Sequence, residues 1–329
     1  MGRLIEGQWS TVNSLRSDEH SGEFIREATT FRHGIGTGPD ALFPAEAGRY
    51  RLYISRACPW AHRTTIMRRW KGLAEAIPLT LVEPVRIDDG WEFSDTYPDP
   101  LYGADYLREL YVRADPEATC RVTVPVLWDT KQETIVNNES REIMRLLDTA
   151  FDEFATNEVS FYPDDLRGEI DRVIDAIYEP VNNGVYRAGF AGTQAAYEEA
   201  VRELFDALDH WEAVLGHQRY LCGDVVSEAD ICLFTTLYRF DSVYYTHFKC
   251  NIRRITDYPN LWNYLKELSQ MPGVAPTCNM DHIKRHYYMS HTWINPAQIV
   301  PVGPALDFGA PHNRGRLPAG ASLAEAVAD

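Results

Sequence analysis

The chain has 329 residues, of which 45% are hydrophobic and 24% are charged. A chain of this length favours about two domains and excludes a peptide hormone, a disulfide mini-scaffold, a single small binding module and extensive disorder. The 32 Lys and Arg against 48 Asp and Glu leave a net charge of −16, which opposes partners such as nucleic acid and anionic membranes.

The cysteines predict a reducing compartment. The six cysteines, at positions 58, 120, 222, 232, 250 and 278, show no paired spacing. Residues 1–9 lack the apolar stretch of a signal peptide, and no apolar run approaches the ~18 residues of a membrane span. We therefore expect a cytoplasmic protein with no membrane partner.

Residues 1–48 are rich in polar residues and glycine, and we expect them to form an arm with little regular structure. The first predicted elements follow this arm. Alternating aromatic and branched residues predict a strand over 49–55. Pro59 then opens a predicted helix that runs to about Lys71, and residues 78–86 are typical of a second strand. The segment 87–120 is too long for an ordinary connection, so we interpret it as a functional or covering insertion.

A β-hairpin signal follows the insertion. Two short runs rich in β-branched side chains, 123–128 and 133–136, flank a polar turn. A helix is predicted over 139–148. The order strand, helix, strand, insertion, hairpin, helix is that of a thioredoxin-like domain, which we place at residues 49–155.

The rest of the chain predicts a second domain, all helical, over residues 156–300. One apolar stripe at helical spacing contains Tyr197, Val201, Leu204, Phe205, Leu208 and Leu215. Ser227 and Asp230 form a capping-box pattern ahead of another apolar run. Residues 301–329 carry many Pro, Gly and Ala and are interpreted as a strap or a loose tail.

Cys58 stands between a predicted strand and a helix that proline opens. Free backbone N–H groups and the helix dipole stabilise a thiolate at such a position, so we expect a depressed pKa for this thiol. Ala61 occupies the position at which a dithiol redox motif has its second cysteine. An external thiol must therefore resolve any mixed disulfide of Cys58. The alternative is a buried structural cysteine, and the helix-start position favours the reactive one.

Two further positions could hold a peptide. A cis bond before Pro125 would turn the backbone polar groups of Val124 outward, where an extended peptide could pair with them; a trans proline at a strand edge is the alternative. Glu139 and Ser140 open the next helix and could hold an ammonium and a carboxylate respectively, or they could serve as ordinary helix caps.

Six motifs, taken in order, resemble those of the glutathionyl-hydroquinone reductases, the xi class of glutathione transferases. The resemblance runs from about residue 8 to Pro296. The motifs are Ser55-Arg-Ala-Cys-Pro-Trp-Ala-His-Arg63, Asp88-Asp-Gly-Trp-Glu-Phe93, Arg121-Val-Thr-Val-Pro-Val-Leu-Trp-Asp129, Thr134-Ile-Val-Asn-Asn-Glu-Ser140, Tyr186-Arg-Ala-Gly-Phe-Ala191 and His286-Tyr-Tyr-Met-Ser-His291.

The resemblance implies the glutathione transferase fold: an α/β N-terminal thioredoxin-like domain plus an all-α C-terminal helical bundle. It also implies a homodimer, glutathione as cosubstrate, and neither a metal nor a nucleotide. Cys58 looks like the nucleophile. The glutathione site is implied at Trp91, Arg121, the Val124 backbone, Glu139 and Ser140. The hydroquinone pocket is implied at Tyr186, Tyr287 and Tyr288.

The chemistry that the resemblance implies is reduction rather than conjugation. The thiolate of Cys58 attacks the glutathione sulfur of an aryl thioether, and Tyr186 and Tyr288 supply hydrogen bonds and a proton to the leaving ring. A second glutathione resolves the mixed disulfide. The sequence leaves open which of Tyr287 and Tyr288 faces the substrate.

Two departures from the family pattern bear on the thiol site. Ala118-Thr-Cys120 precedes Arg121, where the family more often has a glycine, and Thr130 replaces a frequent lysine. The strongly acidic composition leaves open which thiol the cell supplies. Glu139 and Ser140 would bind the γ-glutamyl group of any such thiol. γ-Glutamylcysteine is therefore an alternative to glutathione.

Three competing interpretations stay in view. His282, His286 and His291 lie within ten residues, but no carboxylate or cysteine completes a metal-ligand set, so pocket lining is favoured over a metal site. An omega-type thiol transferase or dehydroascorbate reductase shares the Cys-Pro start. A non-catalytic binding module with the same fold would carry an unreactive Cys58.

Overall fold

The computed structural model describes residues 2–12, 17–36, 38 and 40–320, which form two compact units. The described part of the first unit comprises residues 2–12, 27–36, 38, 40–158 and 277–300, and that of the second comprises 17–26, 159–276 and 301–320. The predicted arm therefore contributes residues to both units.

Most helices and strands of each unit are consecutive in the chain. The first unit begins with β1 (Arg3–Ile5), β2 (Gln8–Ser10), β3 (Tyr50–Ile54), α1 (Pro59–Trp70), β4 (Leu79–Leu81), α2 (Leu107–Ala114), β5 (Val126–Asp129), β6 (Thr134–Asn137) and α3 (Ser140–Thr149). The second unit contains α4 (Arg167–Ile177), α5 (Gly184–Gly189), α6 (Gln194–Val214), α7 (Glu228–Arg239), α8 (Tyr245–His247) and α9 (Pro259–Gln270). The chain then returns to the first unit with α10 (Met280–Ser290).

The core of the first unit is a four-stranded mixed sheet in the order β4-β3-β5-β6. Strand β3 pairs parallel with β4 and antiparallel with β5, and β5 and β6 form the predicted hairpin. Leu52, Leu127 and Trp128 are fully buried in this sheet. The arrangement confirms the thioredoxin-like fold, and α1 and α3 pack against each other beside it.

A buried ion pair links Arg49, just before β3, to Asp129, the last residue of β5. The Arg49 guanidinium donates to both carboxylate oxygens of Asp129, at 2.5–3.0 Å. Asp129 also accepts from the main-chain N–H groups of Lys131 and Gln132 in the hairpin turn. Because each buried charge is paired, this strand end is held without an uncompensated carboxylate.

The structure differs from two sequence predictions in the first unit, those for the arm and for the strand over 78–86. The arm was expected to lack regular structure, but β1 and β2 form a short hairpin through Glu6 and Gly7, whose φ angles are 48° and 72°. The predicted strand over 78–86 is limited to β4. The insertion 87–120 contains α2, whose short length hid it among turn-forming residues.

The second unit is helical, as predicted. Helix α6 buries the expected stripe, including Val201, Leu204 and Leu208, and Ser227 and Asp230 form the predicted capping box at the start of α7. In the C-terminal segment the buried side chain of Arg314 donates to three main-chain carbonyls that follow α6. Residues 301–320 therefore act as a strap; the remainder of the predicted tail, 321–329, lies outside the described residues.

Helix α10 belongs to the first unit, whereas the predicted helical domain, 156–300, included it. His286 donates from Nδ1 to the carbonyl of Pro84 at 2.8 Å, and the N–H of Arg86 donates to Ser290 Oγ at 2.9 Å. The helical pattern predicted the element but could not indicate what it packs against. Across the described residues, no helix is both long and apolar enough to span a membrane.

Candidate active site

Cys58 caps the first helix of the thioredoxin-like unit. It is the N-cap residue of α1, with Pro59 at the first helical position, and its carbonyl accepts the N–H of His62 at 3.0 Å. The residue is 9% exposed, and its thiol donates to the carbonyl of Val124 at 3.5 Å. The sulfur therefore lies at the helix end where backbone N–H groups point outward.

Val124 faces Cys58 from the segment before β5. The peptide bond between Val124 and Pro125 is cis, which is the first of the two alternatives that the sequence left open. The N–H of Val124 has no hydrogen-bond partner among the described residues. An extended ligand could therefore pair with the main chain of Val124 beside the thiol.

Tyr111 braces this segment and was not singled out from the sequence. Its buried hydroxyl donates to the carbonyl of Thr123 at 2.9 Å and accepts from the side chain of Asn138 at 3.1 Å. Burial raises the pKa of Tyr111, so the phenol stays neutral and can both donate and accept. One side chain from α2 thus fixes the residues that precede Val124 and Glu139.

Arg86 is the second site residue that sequence reasoning missed. It is 4% exposed and interacts electrostatically with Cys58. Its guanidinium carbon lies 5.4 Å from the centroid of the Trp91 ring. Burial lowers the pKa of Arg86 to about 10, against the opposite effects of Tyr111 and Cys58. The group is therefore still a cation at neutral pH, in a place where its charge is poorly screened.

Trp91 lies between this cation and helix α10. Its ring stacks on His286 with the centroids 5.1 Å apart and the planes 16° apart. The indole is 4% exposed, and its Nε1 has no hydrogen-bond partner among the described residues. A buried donor without an acceptor is costly, so this N–H is available to a polar group of a ligand.

Glu139 and Ser140 lie at the start of α3, as predicted. Glu139 is the N-cap residue, and its carboxylate accepts from the N–H of Arg141 at 3.3 Å and from the hydroxyl of Thr29 at 3.4 Å. Glu139 is partly exposed and Ser140 is buried. The helix start therefore carries an acidic side chain beside N–H donors, a combination that suits an amino acid headgroup.

Arg121 lies in the loop between α2 and β5 and is partly exposed. The loop is held by β1, because Leu4 and Cys120 exchange both main-chain hydrogen bonds, at 2.9 and 3.1 Å. The N-terminal hairpin therefore fixes the backbone from which Arg121 extends. The sequence carried no signal for this pairing across more than 100 residues.

The three predicted pocket tyrosines divide between the two units. Tyr287 and Tyr288 lie on α10 in the first unit and are 1% and 6% exposed. The Tyr287 ring packs 5.2 Å from His286 and 5.5 Å from His291. Tyr186 lies on α5 in the second unit, where the guanidinium of Arg26 sits 4.8 Å from its ring centroid.

The histidines of α10 make contacts other than metal ligation. Nε2 of His282 forms a 3.2 Å hydrogen bond with the hydroxyl of Tyr97, and the tautomer decides which group donates. Burial, together with the nearby charge of Arg56, lowers the pKa of His282. His286 contacts Trp91 and Pro84. In the part of the chain that the structure describes, no group of three His, Cys, Asp or Glu side chains could hold a metal ion.

Comparison with known proteins identifies both units. Residues 57–150 match the family model of the glutathione S-transferase N-terminal domain, and residues 194–267 match that of the C-terminal domain. The chain is 49% identical over 325 residues to glutathionyl-hydroquinone reductase YqjG of Escherichia coli (strain K12), covering 95% of this chain and 98% of that protein. It is 50% identical over 308 residues to glutathionyl-hydroquinone reductase PcpF of Sphingobium chlorophenolicum, covering 93% and 97%.

Solved structures agree with these matches. A xi class glutathione transferase from Natrialba magadii superposes with a TM-score of 0.92 at 55% identity, over 97% of this chain and 98% of that chain. The glutathione-bound structure of YqjG from Escherichia coli K-12 gives a TM-score of 0.87 at 47% identity, over 95% and 99%. The predicted fold class is confirmed.

Proposed function

This chain belongs to the glutathionyl-hydroquinone reductases, the xi class of glutathione transferases, and on that premise we propose that it reduces glutathionyl-hydroquinones to hydroquinones with glutathione as its thiol cosubstrate. The observation that carries the proposal is the setting of Cys58. Its sulfur lies at the start of α1, 3.5 Å from the Val124 carbonyl, and interacts with the buried cation of Arg86. The helix start and the cation favour a thiolate nucleophile, and the main chain of Val124 beside the sulfur favours a bound thiol peptide.

The thiol peptide would bind along the edge formed by Val124 and the start of α3. The main chain of Val124 pairs with the cysteinyl residue of the peptide, which brings the peptide sulfur to Cys58. Glu139 takes the α-ammonium of the γ-glutamyl group, and the N–H and hydroxyl of Ser140 take its carboxylate. We assign the glycine carboxylate of the peptide to two donors, Trp91 Nε1 and the guanidinium of Arg121.

The first half-reaction breaks the carbon–sulfur bond of the conjugate. The Cys58 thiolate attacks the glutathione sulfur, a disulfide forms between them, and the electron pair of the broken bond moves to the ring carbon. That carbon takes a proton, and we assign its donor to Tyr288 on α10, in the same unit as Cys58. The hydroquinone leaves and Cys58 remains as a mixed disulfide. Tyr288 is preferred over Tyr287 because Tyr287 is enclosed between two histidine rings.

The second half-reaction restores the thiolate. A second glutathione attacks the glutathionyl sulfur of the mixed disulfide, releases glutathione disulfide and leaves Cys58 reduced. Arg86 stabilises the departing Cys58 thiolate in the same way as it stabilises the attacking one, so it serves both steps. If γ-glutamylcysteine is the cellular thiol, Glu139 and Ser140 would hold it unchanged.

We also propose that the protein works as a homodimer in the cytoplasm. The family supports a dimer, and the first unit exposes 43% of Trp293 and 71% of Ile299, an apolar surface that a second copy could cover. All six cysteines are free, which fits a reducing compartment.

Steady-state turnover of a glutathionyl-benzohydroquinone tests the proposal. Cys58→Ser should lose turnover by several orders of magnitude, because it removes the attacking sulfur. Cys120→Ser, which removes a buried thiol from the same unit, should retain it. Wild-type rates in Cys58→Ser would contradict the mechanism. Faster turnover of dehydroascorbate than of the conjugate would favour the omega-type activity instead.

A further inference from the structure

A second thiol and imidazole pair lies outside the proposed active site. The sulfur of Cys278 is 3.8 Å from Nε2 of His62. Cys278 is partly exposed, whereas the other five cysteines are buried. The pair joins a solvent-accessible thiol to a base that is itself 1% exposed, and neither residue has a role in the proposed reduction.

The surroundings of His62 hold the imidazole in place. His62 lies on α1, one turn after Cys58, and its Nε2 is also 2.8 Å from the hydroxyl of Thr277. In the tautomer that carries its proton on Nδ1, Nε2 is an acceptor, and its single lone pair lies between the Thr277 hydroxyl and the Cys278 thiol. This nitrogen is then positioned to take the thiol proton. A thiol paired with an imidazole in this way is activated as a nucleophile.

We propose that Cys278 is a modification site that forms a reversible mixed disulfide with low-molecular-weight disulfides, of which glutathione disulfide is the representative. The Cys278 proton passes to His62 Nε2, and the thiolate attacks one sulfur of the disulfide. The sulfur–sulfur bond of the disulfide breaks, one half stays on Cys278, and the other leaves as a thiolate that takes up the proton. The disulfide is the oxidant and no other co-reactant is needed.

The other cysteines outside the active site lack these features. Burial raises the pKa of Cys120, and it raises that of Cys222 to about 12. Burial also raises the pKa of Cys250, and Cys232 is fully buried on α7. Cys120, Cys222 and Cys250 therefore stay protonated, and all four thiols are shielded by burial. With Cys58 replaced, modification should concentrate on Cys278.

The test uses the full-length Cys58→Ser variant, which lacks the proposed nucleophile. Its outcome is therefore independent of whether the proposed reduction is correct. The protein is incubated with glutathione disulfide at neutral pH, and the adducts are located by peptide mass spectrometry. We expect Cys278 to be modified at least about tenfold faster than Cys120 and to be released by dithiothreitol. Adding His62→Gln should slow the modification, whereas Thr277→Ser, which keeps the hydroxyl beside the imidazole, should not.

Equal rates at Cys278 and Cys120 in the folded protein would overturn the proposal, as would an unchanged rate in folded His62→Gln. If His62→Gln does not fold, the pH dependence of modification in the Cys58→Ser protein decides. A rate that stays high below the ordinary titration range of a thiol supports the imidazole partner. A rate that falls about tenfold per pH unit throughout that range contradicts it.

Discussion

Replacement of Arg86 by methionine tests whether a buried cation stabilises the Cys58 thiolate. The guanidinium is 4% exposed and interacts with Cys58, so water screens the attraction poorly. Methionine has a similar length and no charge. Because burial lowers the pKa of Arg86 to about 10, the cation is present below that pH and is lost only as the pH rises through it. The stabilisation therefore covers the whole neutral range.

The magnitude follows from this burial. One nearby opposite charge favours the ionised form by about one to three pH units, and one unit corresponds to about 1.4 kcal/mol. Taking the lower end, Arg86→Met should reduce the thiolate population about tenfold at a given acidic pH. The free energy of unfolding should fall little or even rise, because a desolvated charge is removed from the interior.

The assay is the rate of Cys58 alkylation by iodoacetamide, followed by peptide mass spectrometry from acidic to neutral pH. The whole profile should move to higher pH in Arg86→Met and move less in Arg86→Lys, which keeps the charge. Arg108→Met is the matched control, since Arg108 also stacks on aromatic rings, at 4.0 Å from Tyr106 and 5.1 Å from Trp9. A folded Arg86→Met protein with the wild-type profile would refute the reasoning.

Three further predictions address the pocket, the second unit and pH. Tyr288→Phe should slow the first half-reaction about 10²-fold and the second much less in rapid-mixing experiments, with Tyr287→Phe as the control; equal slowing of both steps would contradict the assignment. Asp230→Ala should lower the free energy of unfolding by about 3–5 kcal/mol, because this fully buried carboxylate accepts from two main-chain N–H groups and two hydroxyls. Urea titration measures the loss, and exposed Asp206→Ala should show almost none. Burial, with repulsion from a neighbouring lysine, lowers the pKa of His247 to about 4. Its stabilising contribution is therefore complete above its ordinary pKa and is lost as the pH falls towards 4, by about 2 kcal/mol between pH 7 and pH 5. His247→Asn should remove this part of the pH dependence, and an unchanged slope would show that another group causes it.

Local signals in the sequence predicted the elements that carry the candidate site. The alternation in 49–55 and the proline after Cys58 each depend on residues close together in the chain. Such signals specify a turn, a cap or a strand directly. The hairpin and the helix that begins after Glu139 were predicted for the same reason.

The residues that the sequence did not reveal depend on contacts between distant segments. Arg86 and Tyr111 lie in or beside the insertion. Their importance comes from the electrostatic interaction of Arg86 with Cys58 and from the hydrogen bonds of Tyr111 to Thr123 and Asn138. No periodicity records such contacts. Helix α10 was predicted as a helix, but its place in the first unit depends on hydrogen bonds to Pro84 and Arg86, about 200 residues earlier.

The central claim is that Cys58 takes the glutathionyl group from an aryl thioether. Single-turnover mass spectrometry with a glutathionyl-benzohydroquinone, without added thiol, measures this step directly. We predict a glutathione adduct on Cys58 together with an equal amount of free hydroquinone, and release of glutathione disulfide once glutathione is added. Released hydroquinone with no adduct on Cys58, or the same release from Cys58→Ser, would contradict the claim.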